Sequence, residues 1–346
     1  MAQFTHDQLR QFGTRVLEAA GAPNYEAGIV ADALVDANLA GHDSHGVMRL
    51  VSYVSWIEAG NSQPGAPFEV VAEADAFAVV DGNWGFGQVQ GRRAMELAIA
   101  KARQAGASTV SGRNCLHLGR LGDYPRMAAE QGLAAIVYIN THGAGRLVAP
   151  FGGIERRLSA NPVAIGAPRK KAKPIVVDMS TCQIAEGKIR NMRVEGKPVP
   201  EGCIIDSEGS PTTDANEFYG PPQGALLPIA GHKGFGLGLA FDILAGAVSG
   251  AGCSRPDATR VGNGFLMHVI DVEMFRDAGE FLGDVEGLVD YVKSSKLAPG
   301  FDEILVPGEP ELRTEAERRE NGIPVPEGIV EALNELAAKY GAAGLG

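Results

Sequence analysis

Cysteine is scarce in this 346-residue chain: four residues, Cys115, Cys182, Cys203 and Cys253, with no CxxC pair among them. That spacing excludes a disulfide framework and a zinc ribbon. It reads as free thiols in a reducing compartment, so a cytoplasmic location is expected. Long apolar runs are also missing. The most apolar stretch, 236–250, is interrupted by Asp242 and several glycines, too short and broken for the ~20 residues that a membrane-spanning helix needs. The first residues, Met1-Ala2-Gln3-Phe4-Thr5-His6, show neither a basic nor an apolar leader region, so no targeting segment is expected. Positive charge is in deficit, with a formal net charge of −11. The densest basic run, Arg169-Lys170-Lys171, reads as a short solvated loop. A phosphate backbone would be repelled, and no nucleic-acid partner is expected. No internal repeat is visible.

What the chain does have is a hydrophobic content of 45% and 46 glycines, enough for a sizeable core cut by many turns. Thr5 is placed to cap a helix carrying Leu9, Phe12, Val16 and Leu17. Asn24 is placed to cap a second helix running toward Leu39, and 47–59 reads as a third, stopped by Gly60. Residues 68–71 and 76–80 read as a hairpin, followed by a helix after Gly87 and a strand near 107–110. Apolar runs at 134–139, 162–167, 174–177, 203–205, 265–272 and 304–306 read as strands. Residues 233–248 read as a buried helix, and two polar-faced helices finish the chain. The expected class is α+β (mixed α/β), with helices at both chain ends and a sheet between.

Gly85-Phe86-Gly87-Gln88-Val89-Gln90-Gly91 imitates a dinucleotide fingerprint after a strand. Its third glycine is one place late, and Thr109, Val110 and Ser111 stand where the ribose-binding acid belongs. A tight turn with positive φ and close helix packing explains these glycines better.

The segment from Gly41 to Tyr53 is richer in chemistry. His45, Arg49 and Tyr53 are spaced i, i+4, i+8, which on a helix would align them along one ridge. A histidine titrating near neutrality can exchange a proton with a carbonyl oxygen, and a guanidinium one turn away can bind a carboxylate by two bonds. Ser44 adjoins the histidine. His42 and His45 also form an HxxH pair, which with His117 would suit a metal-dependent hydrolase, but no further ligand of recognisable spacing follows; no metal is expected.

The same segment resembles the signature of the type-2 malate/L-lactate dehydrogenase family. Five further blocks agree in order: Asn114 to Gly122, Val148 to Gly153 followed by Asn161-Pro162, Val177 to Thr181, Gly231 to Gly236, and Leu305 to Glu309. The resemblance covers essentially the whole chain. It implies an NAD(P)-dependent hydride transfer between a small 2-oxo and a 2-hydroxy acid, nearest the hydroxycarboxylate dehydrogenase branch. It implies His45 as proton donor and acceptor, Ser44 as its relay neighbour and Arg49 as carboxylate ligand, with Tyr53 and Asn161 as further substrate-binding residues. His117 is the base in some members, and His117, Leu118, Gly119, Arg120 and Leu121 form a cofactor-contacting loop. Asp178, Met179, Ser180, Lys233, Gly234, Pro307, Gly308 and Glu309 match cofactor-binding segments, where glycine-rich turns and helix starts present N–H groups to a pyrophosphate.

The implied fold is a non-Rossmann nucleotide-binding domain with a mostly antiparallel sheet over residues 67–309. Beside it the resemblance implies a helical domain from residues 1–66 with 310–346, and a homodimeric assembly. Two departures stand out. Lys188 replaces the Asp that cyclic imino acid reductases of the family carry in their relay, which weakens that alternative. Ala160 replaces a frequent Thr. Glu186 near the Asp178 block would repel a 2′-phosphate, which favours NAD over NADP.

Overall fold

The computed structural model describes the whole chain, Met1–Gly346. It opens with β1 (Ala2–Phe4), α1 (His6–Ala19), α2 (Asn24–Leu39), a 3₁₀ turn at Asp43–His45 and α3 (Arg49–Glu58). Then come β2 (Glu69–Ala74), β3 (Phe77–Asp81), α4 (Gly87–Ala105), β4 (Ala107–Cys115), α5 (Asp123–Ala129), β5 (Leu133–Asn140), β6 (Val163–Ala167) and β7 (Ile175–Met179). A smaller layer holds α6 (Glu186–Glu195), β8 (Ile204–Ile205), β9 (Pro211–Thr212), α7 (Ala215–Tyr219) and β10 (Ala225–Leu226). The chain continues through α8 (His232–Asp242), which runs into a π-helical turn at Ile243–Ala247, to β11 (Asn263–Asp271) and α9 (Val272–Phe275). It closes with α10 (Ala278–Lys293), α11 (Glu309–Asn321), β12 (Ile323–Val325) and α12 (Glu327–Lys339).

The main sheet has the strand order β2-β3-β4-β11-β5-β6-β7. Every neighbouring pair is antiparallel except β3 with β4. Central β11 arrives late in the chain and pairs with both β4 and β5, so the sheet cannot close before that strand is made. Helices α4 and α5 cover it, burying Met95, Ala98, Leu121, Val137 and Phe265 in one core. A second core gathers α1, α2 and α3 with both chain ends: Leu9, Phe12, Leu34, Leu50, Ile323 and Leu333 all pack together. The pairing of β1 with β12 ties the two ends of the chain. Thr5 caps α1 as expected, in a reciprocal capping box with Gln8, which satisfies two otherwise unpaired N–H groups.

Several expectations fail for local reasons. Residues 304–306 form no strand; they lead into the turn before α11, with the Val306 N–H held by Glu309. Asn24 does not cap α2: Pro23 takes the cap position and the Asn24 amide bonds Glu18 instead. The helix at 233–248 is not buried throughout. Leu237, Leu239, Ile243 and Val248 are exposed, and only a thin stripe including Gly238 and Phe241 faces inward. Arg169 is not solvated but buried in a two-bond ion pair with Glu286. Around the 85–91 glycine segment, the positive φ values fall on Asn83 and Trp84 rather than on Gly85 and Gly87. Close packing is what Gly87 provides: a Cβ there would lie 2.3 Å from the carbonyl oxygens of Leu116 and His117.

Candidate active site

The expected helical ridge is broken. Helix α3 starts only at Arg49, and Gly46 is extended, so His45 belongs to the 3₁₀ turn and not to the helix. The physical reason is Asn38, a buried amide at the end of α2. Its Nδ2 donates to Asp43 at 2.6 Å and its Oδ1 accepts from the Val47 N–H at 2.8 Å, so the turn winds around it. Gly46 makes room: a Cβ there would sit 2.2 Å from Asn38 Oδ1. From α11, Arg318 grips both Asp43 oxygens, at 2.6 and 3.0 Å, and Glu311 stands 3.5 Å from His42. Neither Asn38 nor Arg318 was legible as a site residue: Asn38 acts only because of how α2 ends, and the partner of Arg318 lies 275 residues away.

A second loop faces this turn. Asn263 at the start of β11 accepts the Leu118 N–H at 2.9 Å and donates to the Asn140 carbonyl. Tyr124 donates to the Leu118 carbonyl. Asn114, at φ 53°, donates to both Asp81 oxygens. These bonds hold His117 against His45, and the two rings stack at 5.3 Å between centroids and 26° between planes.

The partners of the two rings differ. Ser44 Oγ lies 2.9 Å from His45 Nδ1. Tyr53, fully buried, lies 2.8 Å from His117 Nδ1 through its hydroxyl, which receives Gln88 Nε2 at 2.7 Å. Because Gln88 donates to that oxygen, the phenol proton is free to go to Nδ1, which leaves the His117 proton on Nε2. Tyr53, expected beside the substrate, is thus committed to His117. Burial pushes the Tyr53 hydroxyl up to about 12, so it remains protonated.

Both imidazoles are held neutral. Burial first, then the charge of Arg49, pulls His45 down to about 3, and the same two causes take His117 well below its ordinary value. A histidine titrating near neutrality is therefore not what the ligand-free site contains. Arg49 points into this pair with one bond made, Nε–H to the Ser44 carbonyl at 2.8 Å. Its remaining N–H groups take no carboxylate of the chain. Next to Leu116 and Trp56 opens a cavity of about 300 Å³, also lined by Asn61, Thr259, Arg260 and Val261. Arg260 lies 3.4 Å over the Trp84 ring.

The remaining expected segments meet along β7 and just beyond it. Gly122 donates to Asp178 Oδ2 at 2.7 Å, which brings the 117–122 loop to that strand. Val176 donates to the Pro307 carbonyl at 3.3 Å, placing the 307–309 turn there too. Ile229 donates to the Thr181 carbonyl, and Asn161 Nδ2 donates to the Gly238 carbonyl, which seats the start of α8 with Lys233 and Gly234 alongside. Asn161 is wholly buried, packed under α8. Two buried atoms in this region lack a partner, Arg120 Nε and Asn161 Oδ1, and unpaired buried polar atoms mark places where a ligand or water completes the bonding. Met179 and Ser180 end the strand, with Ser180 Oγ donating to the Cys182 carbonyl. The Glu309 carboxylate is spent on Lys293 and the Val306 N–H, so only its backbone is available.

Two other expectations change. Glu186 bonds Arg190 and the Tyr219 hydroxyl, which neutralises much of the charge expected to repel a 2′-phosphate. His42 turns to Glu311 and does not converge with the stacked His45 and His117. Helix α6 begins over Ser44, where a Cβ on Gly187 would come within 2.9 Å of Ser44 Cβ, and Lys188 is exposed.

Residues 4–334 match the malate/L-lactate dehydrogenase family. The chain belongs to that family. A malate dehydrogenase of Pyrococcus horikoshii is 41% identical, over 98% of this chain and 96% of its own length. The structure of a putative malate/lactate dehydrogenase from E. coli superposes with a TM-score of 0.93 at 36% identity, covering 99% of this chain and 96% of that one. A Δ1-piperideine-2-carboxylate reductase from Pseudomonas syringae superposes with a TM-score of 0.84 at 30% identity, covering 97% and 100%.

Proposed function

We propose that the protein exchanges a hydride between a nicotinamide dinucleotide and the C2 carbon of a small 2-oxo or 2-hydroxy acid. The observation that carries this reading is Arg49, with N–H groups to spare and no acid partner, beside two stacked neutral histidines. The substrate carboxylate binds Arg49, which fixes the carbonyl at the histidines. His45 carries the proton. Its partner Ser44 is a rotatable hydroxyl that accepts or donates, so Nδ1 is served in either charge state while Nε2 faces the reaction. His117, with Nδ1 receiving the Tyr53 proton, offers Nε2–H as a fixed hydrogen-bond donor to the developing alkoxide.

In the oxidative direction, neutral His45 is already the competent base. In the reductive direction, an anionic substrate cancels the Arg49 charge and draws a proton onto His45, so the 2-oxo acid and the proton enter together. A bound dinucleotide would supply or accept the hydride. A site for it would consist of Leu118, Gly119, Arg120 and Leu121, of Asp178, Met179 and Ser180, of Lys233 and Gly234, and of the Pro307-Gly308-Glu309 turn. The unpaired Arg120 Nε and the α8 N-terminus suit an anionic ligand there, whereas the unpaired Asn161 Oδ1 can only accept from a ligand N–H or O–H. Residues 67–309 would form this nucleotide-binding, non-Rossmann unit, and residues 1–66 with 310–346 the helical one.

The test is a panel of 2-oxo acids with NADH and NADPH, read at the nicotinamide absorbance. Turnover of a 2-oxo acid with NADH is expected, and no turnover with any acid would overturn the reading. Cyclic imino acid reduction is the second reading because a reductase shares the fold. Exposed Lys188 in place of the relay carboxylate speaks against it, and piperideine-2-carboxylate in the same panel decides. No helix is long and apolar enough to cross a membrane, and four free cysteines suit a reducing cytoplasm.

A homodimer fits best through α8. The terminal helices spend their apolar faces in the core, whereas Leu237, Leu239, Ile243 and Val248 leave an apolar stripe open. Light scattering should give twice the 36.2 kDa chain mass, and a monomer at micromolar concentration with full activity would refute it.

A further inference from the structure

Away from the histidines, a second cavity of about 160 Å³ is lined by Arg146, Arg156, Arg157, Ser254, Arg255 and Pro256. Four of its six lining residues are arginines and none is acidic, in a chain whose net charge is −11. The arginines come from two places in the sequence, the 146–157 connection between β5 and β6 and the loop before β11. Their convergence is therefore a product of the fold and not of a basic run.

Two of the four have no carboxylate partner. Arg146 reaches only the Gly143 carbonyl, at 3.5 Å. Arg156 donates to the carbonyls of Gly224 and Phe218 and lies 4.3 Å over the Phe218 ring. Of the other two, Arg157 is directly paired with Glu155 and Arg255 only loosely with Asp257, at 3.6 Å. Beneath them the Ser254 N–H goes to buried Asp242 at 2.8 Å, while the Ser254 hydroxyl is shielded from water and makes no hydrogen bond. Like charges held around one cavity repel each other until an anion enters, and guanidinium forks match oxyanion geometry.

We propose that this cavity binds a small multivalent oxyanion of the size of phosphate or a four-carbon dicarboxylate. The guanidinium groups of Arg146, Arg157 and Arg255 clamp it from the rim, and Arg156 is fixed as the wall. The site is separate from the one assigned to the 2-oxo acid and stands whether or not that assignment holds.

The experiment measures thermal unfolding of the full chain against inorganic phosphate and, separately, succinate, with sodium chloride at matched ionic strength as the control. A ligand of the native state raises the melting temperature with its concentration. Phosphate, succinate or both should do so beyond chloride; which of them does identifies a phosphoryl or a carboxylate preference. The R146Q/R255Q double variant should weaken the dose response at least tenfold while melting normally in chloride. If that variant does not fold, R157Q at the exposed rim replaces it, with a severalfold weakening expected. Equal shifts in phosphate, succinate and chloride would overturn the proposal. So would a dose response untouched by the substitutions, which would place the anion elsewhere, for example at the start of α8. A loss of dimer mass in the variant without any change in anion response would likewise overturn it, since the arginines would then serve a second copy of the chain.

Discussion

His45 and His117 stack on each other, yet the regions that carry them are built on opposite plans. The His45 turn belongs to the helical core, wound around the Asn38 amide and gripped from outside by Arg318. Its ring has one hydrogen-bond partner, a serine next to it in sequence. The His117 loop belongs to the sheet, and its ring is held by a chain of long-range bonds from Tyr53 and Gln88. On the proposed assignment, the contrast separates two tasks. A ring beside a rotatable hydroxyl can load and unload a proton without breaking its bond. A ring locked by a phenol that is itself locked keeps one tautomer and acts as a fixed donor.

The most severe way to break this division is to replace each ring. H45N should lower kcat by roughly 10²–10⁴, the range for loss of a general acid–base group, and should erase the limb of the pH–rate profile that reports its proton. H117N should cost roughly 10²–10³, as for loss of one oxyanion donor, and keep that limb. Steady-state profiles of both variants decide, and loss of the limb in H117N alone would invert the roles. Next in size, R49K should mainly raise KM, by about 1.5–3 kcal/mol in apparent binding, because a point charge cannot reproduce the two-bond fork. A kcat loss with unchanged KM would move Arg49 from substrate binding to the chemical step.

Smaller is the effect of Y53F, which frees the His117 tautomer and leaves Gln88 without its partner. About 1–3 kcal/mol of stability should be lost, together with roughly tenfold of kcat, and denaturant unfolding beside kinetics would show whether the two losses occur together. The smallest effect concerns pH. Unfolded, His45 binds its proton near 6.5; folded, only near 3, so the unfolded state holds more protons across that window. Its contribution to stability is complete above pH 6.5 and drains away as the pH falls toward 3, by about 2 kcal/mol between pH 6.5 and 5. H45N should flatten this slope in denaturant titrations. An unchanged slope would mean that the ring is not held neutral.

The same contrast explains what could be read in advance. Alternation and helical spacing located the hairpin at 68–80, the helix after Gly87 and the central strand near 265–272, because those patterns record local burial. The ordered motif blocks located the neighbourhood of both histidines. They did not show that Gly46 breaks the ridge, since the cause is a side chain eight residues upstream, Asn38, whose role depends on how α2 ends. Nor could spacing show that Tyr53 turns away to His117, a partner 64 residues on. The exposed face of α8 was misread as buried because apolar residues with a helical period look alike whether the core or another surface covers them.

The bond between Arg318 and Asp43 joins residues 275 positions apart. During synthesis at roughly 5–20 residues per second, tens of seconds pass between the emergence of the turn and that of its clamp. Through that interval the nascent protein carries both histidines without the contact that holds one of them in place. On the proposed assignment, catalytic competence would be withheld until the last helices are made, and a chain released early would be folded in part but silent.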